Sequence, residues 1–413
     1  MTAEEVPRKE TSIRLKVFDA FHNGSTKAYK QLKSILDNAT LGDIESEVLD
    51  ASVKKRTDIT DINVAAYDIT VEQEKRIVKN FEKLREEVIS LGMLDGAPYF
   101  YAWKCVEVAI MFSLVFWLQY KEWYVLSAVI LGLNWQQLAW LAHEFAHHSW
   151  NDRIGLFLGN FCQGYSIDWW KDRHNTHHAA CNVIEQDTDL NIMPLFALIP
   201  SDLLRFNELY EKPFANFIPY QHIYLTMFLP MLRTSWAVNS ARFAFSEQNS
   251  AFRVYRRNAL NEQFLILLHW SWVALQLYLL PNNWVRVYYY LISQGVCGFL
   301  IGHVVSFSHY SVDKYPENSR ILNNYAALQL LTTRNMNPSY IIDWIWGGLN
   351  YQVEHHLFPS MPRVHLYKCS KMVKQFCKDN DLPYLCDSYK DGYMTLLDQL
   401  KAIAELSASG PTA

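Results

Sequence analysis

Two segments, HEFAHH at 143–148 and HNTHH at 174–178, decide the reading of this chain; a third, QVEHH, follows at 352–356. On an α-helix, residues three and four apart share a face. His143 and His147 are four apart. His174, His177 and His178 follow the same spacing, and Gln352, His355 and His356 repeat it. Each cluster can therefore aim two or three side chains at one point. Imidazole suits iron, zinc, copper and nickel. One zinc is satisfied by four ligands, so seven clustered histidines point to two metals.

The surroundings of the first cluster set the fold. CVEVAIMFSLVFWLQY at 105–120 is apolar, with Glu107 near its start. Lys121 and Glu122 make a tight turn, and WYVLSAVILGLNWQQLAWLA at 123–142 runs straight into His143. This reads as a transmembrane hairpin. Asn134, Gln136 and Gln137 are costly in lipid, so they are expected to face the site or another helix. A second hairpin is expected from the apolar runs 264–280 and 285–307. The uncharged stretch 214–232 is nearly long enough to span. A crossing there would put the second and third clusters on opposite faces, where they could not share a metal pair. Pro219 and Pro230 also argue against a straight helix, so an interfacial segment is expected. Arg233, Arg242, Arg253, Arg256 and Arg257 lie between the hairpins, whereas the turns inside them carry only Lys121 and Arg286. The positive-inside rule then puts the histidine clusters and both termini in the cytosol. The expectation is an all-α integral membrane protein. Four transmembrane helices in two hairpins carry a cytosolic helical cap that holds a histidine-rich two-metal site.

Composition agrees. Half of the 413 residues are apolar, and 14 Trp, 24 Tyr and 22 Phe suit membrane interfaces. A net charge of −4 gives no electrostatic footprint for nucleic acid. The seven cysteines form no CxxC and read as free thiols in a reducing compartment. The polar start MTAEEVPRKETSIRLK is no secretory signal. Residues 1–97 read as cytosolic. A helix is expected from Thr70, capped by Gln73, with a stripe of Ile77, Phe81, Leu84, Val88 and Leu91 ending at Gly92. Asp187 and Asp189 in EQDTDLNIMP either orient histidines or form a surface acidic turn.

HEFAHH, HNTHH and QVEHH resemble the three histidine boxes of membrane fatty acid desaturases. WWKDRHNTHHAACNVI, RILNNYAALQLLTTRNMNPS and DWIWGGLNYQVEHHLFPSMPR are similar to the animal Δ6 members, with Δ5 members close. Gln352, in place of a histidine, marks the front-end subfamily. The resemblance covers about residues 17–400 and implies a di-iron centre. Its ligands would fall on His143, His147, His174, His177, His178, His309, His355 and His356, with Gln352 as the box-three variant. His309 stands in Ser308-His309-Tyr310, where the family has an Asn-His-Asn run. His148 is expected beside the ligands, His269 and His303 in packing, and His222 and His365 in no role. The implied domains are residues 1–97 as a cytosolic region, 98–375 as the desaturase domain and 376–413 as a cytosolic tail.

Front-end members carry an N-terminal cytochrome b5 domain with an HPGG haem motif. No HPGG occurs here, and VFDAFHNGSTKAYKQL at 17–32 resembles only the tail of that domain. No haem is therefore expected in this chain, and a separate cytochrome b5 with its reductase is expected to supply electrons. The resemblance implies O₂ as co-substrate, a fatty acyl-CoA or phospholipid substrate, and the endoplasmic reticulum membrane. A cis double bond, Δ6 by overall similarity, is the expected product. A di-iron hydroxylase and an inactive truncated homologue are the alternatives.

Overall fold

The computed structural model describes residues 62–65, 68–147, 152–207, 212–246 and 259–409. The cytochrome b5-like remnant at 17–32 and His148 lie outside the described residues. Helix α1, Val71–Ser90, opens with the expected capping box: Thr70 and Gln73 exchange side chain-to-backbone hydrogen bonds of 3.1 Å. Ile77, Leu84 and Val88 are buried. Leu91 departs from the expected stripe. It lies just past the last helical residue and is 46% exposed, and Met93, beyond the Gly92 turn, is buried in its stead.

Helices α2 (Pro98–Tyr120) and α3 (Tyr124–His147) form the first hairpin. Ser127 of α3 donates to the Val115 carbonyl of α2 at 2.8 Å and so satisfies itself inside the apolar pair. Gln137 and Trp140 of α3 donate to the carbonyls of Trp344 and Ile345, both at 3.0 Å, and Gln136 also reaches Ile345. These polar side chains thus face the short helix Tyr340–Ile345, as expected of polar groups at the end of a span. After α3 the chain runs through a π-helix, Phe157–Gln163, and turns at Gly164. Gly164 has φ of +74°, and an added Cβ would lie 2.1 Å from the His269 ring. Helix α4 comes next at Ile167–Ala179, capped by Ser166.

The stretch 214–232 is broken, as its prolines require. Short 3₁₀ turns flank a helix at Gln221–Phe228, and α5 begins at Leu232 and runs to Phe245. The bend at Leu229–Met231 seats on Gly295, Gly298 and Gly302. Arg233, expected among the loop charges, is buried instead. It donates to Gln294 Oε1 at 2.9 Å, to Gln163 Oε1 at 2.6 Å and to the Gln163 carbonyl at 2.9 Å, and it stacks on Trp135. Its five fixed donors suit it to tying three segments together.

Helices α6 (Ala259–Tyr278) and α7 (Asn283–Val305) form the second antiparallel pair, and α7 continues through a π-turn, Ser306–Tyr310. Among the described residues, α2, α3 and α7 with its π-turn are long and apolar enough to cross a membrane.

The remaining chain covers the ends of α3 and α7. It comprises α8 (Tyr325–Leu331), α9 (Gln352–Leu357), α10 (Leu366–Asp379) and α11 (Tyr389–Ala408). One two-residue parallel pair, Asn335–Met336 with Cys386–Asp387, ties the front of this cap to α11. Helix α1 packs on α10 and α8 in one core with Ile321, Val353 and Leu357. Helix α11 buries Leu396, Leu400 and Ile403. Its Gln399 accepts from Lys314, and its Leu400 carbonyl accepts from Gln221, both at 2.8 Å.

Candidate metal centre

Four elements supply the histidines. His143 and His147 occupy the last two turns of α3, and His174, His177 and His178 lie on α4. His309 sits in the π-turn beyond α7, and His355 and His356 on α9. A π-turn adds one residue to a helical turn and re-aims the side chains beyond it, a device common at functional sites. Helix α9 is oriented from below: Asn335 accepts from the Val353 amide and donates to Glu354 Oε2, both at 2.8 Å.

The eight histidines converge in two groups. Donor atoms of His143, His147, His174 and His355 lie within 4.8 Å of one another, as do those of His177, Cys181, His309 and His356. His178 stands between them, with Nε2 3.1 Å from His174 Nε2 and its ring stacked on His356 at 4.1 Å. His143 Nε2 is 3.0 Å from His174 Nε2, and Gln352 Nε2 is 2.9 Å from His309 Nε2. Two nitrogens about 2.1 Å from one metal and about 90° apart would be about 3.0 Å from each other. The His143–His174 spacing therefore has the dimensions of a coordination shell.

The outer ring nitrogens are held. His177 Nδ1 donates to Asp187 Oδ2 at 2.8 Å, which turns Nε2 toward the second group. His356 Nδ1 donates to Gln329 Oε1 at 2.8 Å, and Gln329 donates to the His178 carbonyl at 2.9 Å. His356 Nε2 is buried with no partner, as a metal ligand awaiting its ion would be. Burial, and then the neighbouring imidazoles, hold His174, His178 and His356 well below the ordinary histidine range. Both effects favour the neutral imidazole, the form that binds metal. His177 goes the other way. Burial, the largest single effect, depresses it, but Asp187 and Cys181 together, by charge and by hydrogen bond, hold it well above that range. Asp189 is less direct: it is 3.9 Å from His177 and pairs with Arg173 at 3.0 Å.

All nine residues expected at the site are brought together. His269 and His303 are not among them. His269 donates to the Phe161 carbonyl at 2.6 Å, and His303 stacks on Tyr393 of α11. Glu144, beside His143, points away and pairs with Arg363 at 3.0 Å, while Tyr101 donates to it at 3.1 Å. Two residues at the site went unread in the sequence, Gln329 and Cys181. The second was within reach of the helical rule, since it stands four residues past His177.

A fatty acid desaturase family model matches residues 121–388, and so spans all three boxes. The chain belongs to the fatty acid desaturase family. This desaturase is 52% identical to the Δ6 fatty acid desaturase of Caenorhabditis elegans, over 94% of its own length and 88% of the relative's. It is 41% identical to the Δ5 fatty acid desaturase of the same organism, over 95% and 88% of the two chains. A Δ8 fatty acid desaturase of Euglena gracilis is 33% identical over 81% and 80%. The front-end reading is borne out: this is a desaturase, an oxidoreductase of lipid metabolism.

Proposed function

We propose that this desaturase inserts a cis double bond at the Δ6 position of polyunsaturated acyl chains, using a pair of irons at the histidine centre. The convergence of all three boxes into two buried groups carries this reading. His143, His147, His174 and His355 would hold one iron and His177, His309 and His356 the other, with His178 between them and Gln352 beside His309. When bound, the irons supply the O₂-derived oxidant that removes two hydrogens from adjacent methylenes. The protein positions and excludes: Asp187 and Gln329 aim imidazoles, and the cap formed by α8, α9 and α10 keeps water from the reacting carbons.

The same proposal includes four spans in two hairpins, with α6 as the fourth. Its Glu262, His269 and Gln276 point inward, whereas Leu260, Phe264, Leu267 and Leu275 are exposed, as on a lipid-facing helix. An even number of crossings keeps His143, His174, His309 and His355 on one side. Both termini are then cytosolic, in the endoplasmic reticulum membrane. The domain reading stands with it: residues 1–97, 98–375 and 376–413, with no haem in the first. Electrons come from a separate cytochrome b5 and its reductase, and the acyl group arrives on coenzyme A.

Expression in a yeast lacking polyunsaturated fatty acids tests the proposal. Linoleate, α-linolenate and dihomo-γ-linolenate are supplied separately, and products are identified by gas chromatography–mass spectrometry. A Δ6 product from the first two, lost in His177→Ala, is expected. A Δ5 product from the third moves the regiochemistry, and a hydroxylated product or none overturns the assignment.

A further inference from the structure

The second histidine group contains a fourth donor that the family's histidine boxes do not supply. Cys181 lies just past α4, fully buried, with Sγ 3.8 Å from His177 Nε2 and 3.5 Å from His309 Nδ1. A sulfur about 2.3 Å and a nitrogen about 2.1 Å from one metal, at a tetrahedral angle, would lie about 3.6 Å apart. Both contacts fall around that value. The Sγ–H donates to the Thr332 carbonyl at 3.6 Å, a bond that metal ligation would replace. The unpartnered Nε2 of His356 belongs to the same group, all of whose donor atoms lie within 4.8 Å.

From this geometry we propose that Cys181 is a sulfur ligand of the second metal, alongside His177, His309 and His356. The contact with His309 is made through Nδ1, which leaves Nε2–H facing Gln352. Turning the Gln352 amide over brings its oxygen, buried and unpartnered as placed, onto that N–H. Gln352 then orients His309, and Cys181 supplies the donor that a histidine at position 352 would have supplied. A thiol binds metal as the thiolate, so ligation releases its proton. One S–H bond is exchanged for one S–metal bond, one proton goes to solvent, and nothing is oxidised. The rival arrangement has His309 binding through Nε2 and donating from Nδ1 toward Sγ and the Thr332 carbonyl, with Cys181 a spectator.

The inference rests on the two-metal reading of the histidine centre, and the test separates the two. The detergent-solubilised full chain is stripped and reloaded with cobalt(II), and metal content and absorption are measured. A thiolate-to-cobalt charge-transfer band in the near ultraviolet is expected in the wild type and in Cys162→Ser. It is expected to vanish in Cys181→Ser, with metal content retained. A zinc-loaded wild-type sample, examined by X-ray absorption, should show sulfur at about 2.3 Å; this arm stands even if the variant fails to fold. Metal bound without the band or the sulfur shell overturns the ligation by Cys181 alone. A chain that binds no metal overturns the metal centre as well.

Discussion

Asp187 and Gln329 each fix one imidazole. Replacing Asp187 by Asn keeps the shape but weakens the acceptor for His177 Nδ1–H and removes the charge beside it. Gln329→Leu leaves His356 Nδ1 without its acceptor. Each change is expected to lower metal affinity about 10- to 100-fold, the usual cost of losing a partner behind a ligand; competition with a chromophoric chelator measures it. Asp187 was legible in the sequence as an acidic residue shortly after HNTHH. Gln329 was not, because it meets the His178 carbonyl across 151 residues and no spacing rule joins them. The boxes named the histidines that converge, but their division into two groups arises from how α3, α4 and α9 cross, and linear spacing does not encode that.

At the scale of elements, two contacts set how the helices sit. An added Cβ on Gly298 would lie 2.4 Å from the Pro230 carbonyl oxygen, a backbone atom with little room to yield. Gly298→Val is expected to cost about 1–3 kcal/mol, the range for overpacking, and to lower the melting temperature in detergent. Arg363 pairs with Glu144 of α3, and its amide donates to the same carboxylate at 3.0 Å. Arg363→Met leaves that carboxylate buried with its cation gone. A loss of about 3–5 kcal/mol is expected, read by the same melting experiment. Three of the four expected spans are long apolar helices, legible because uninterrupted apolar runs of membrane length have few other uses. Arg233 was misplaced because a count of loop charges cannot see that the chain folds back at Pro230 and carries the guanidinium onto Trp135.

Over the whole molecule, metal binding at the proposed centre would share one equilibrium with folding. At a free metal concentration 100 times the dissociation constant, occupancy is worth about 2.7 kcal/mol per independent site. Chelation is therefore expected to lower the melting temperature, and re-addition of iron to restore it. Deleting residues 389–413 uncovers the pocket that takes Leu396, Leu400 and Ile403 and removes Gln399 from buried Lys314. Aggregation in size-exclusion chromatography is the expected outcome. Lys314 also joins segments far apart in sequence. Backbone hydrogen bonds join it to Asn63 and Ala65 on one side, and its neighbour Tyr315 bonds to Asn182 and Ile184 on the other, just past His309. A ribosome makes these parts far apart in time. The first box leaves it more than two hundred residues before His355 and His356, and Gln399 comes later still. While residues 179–354 are made, the nascent chain carries His143, His147 and the α4 imidazoles without the third box. Completion of the histidine cluster is therefore expected to wait for the end of translation, when the last helix packs on the segment that carries His309.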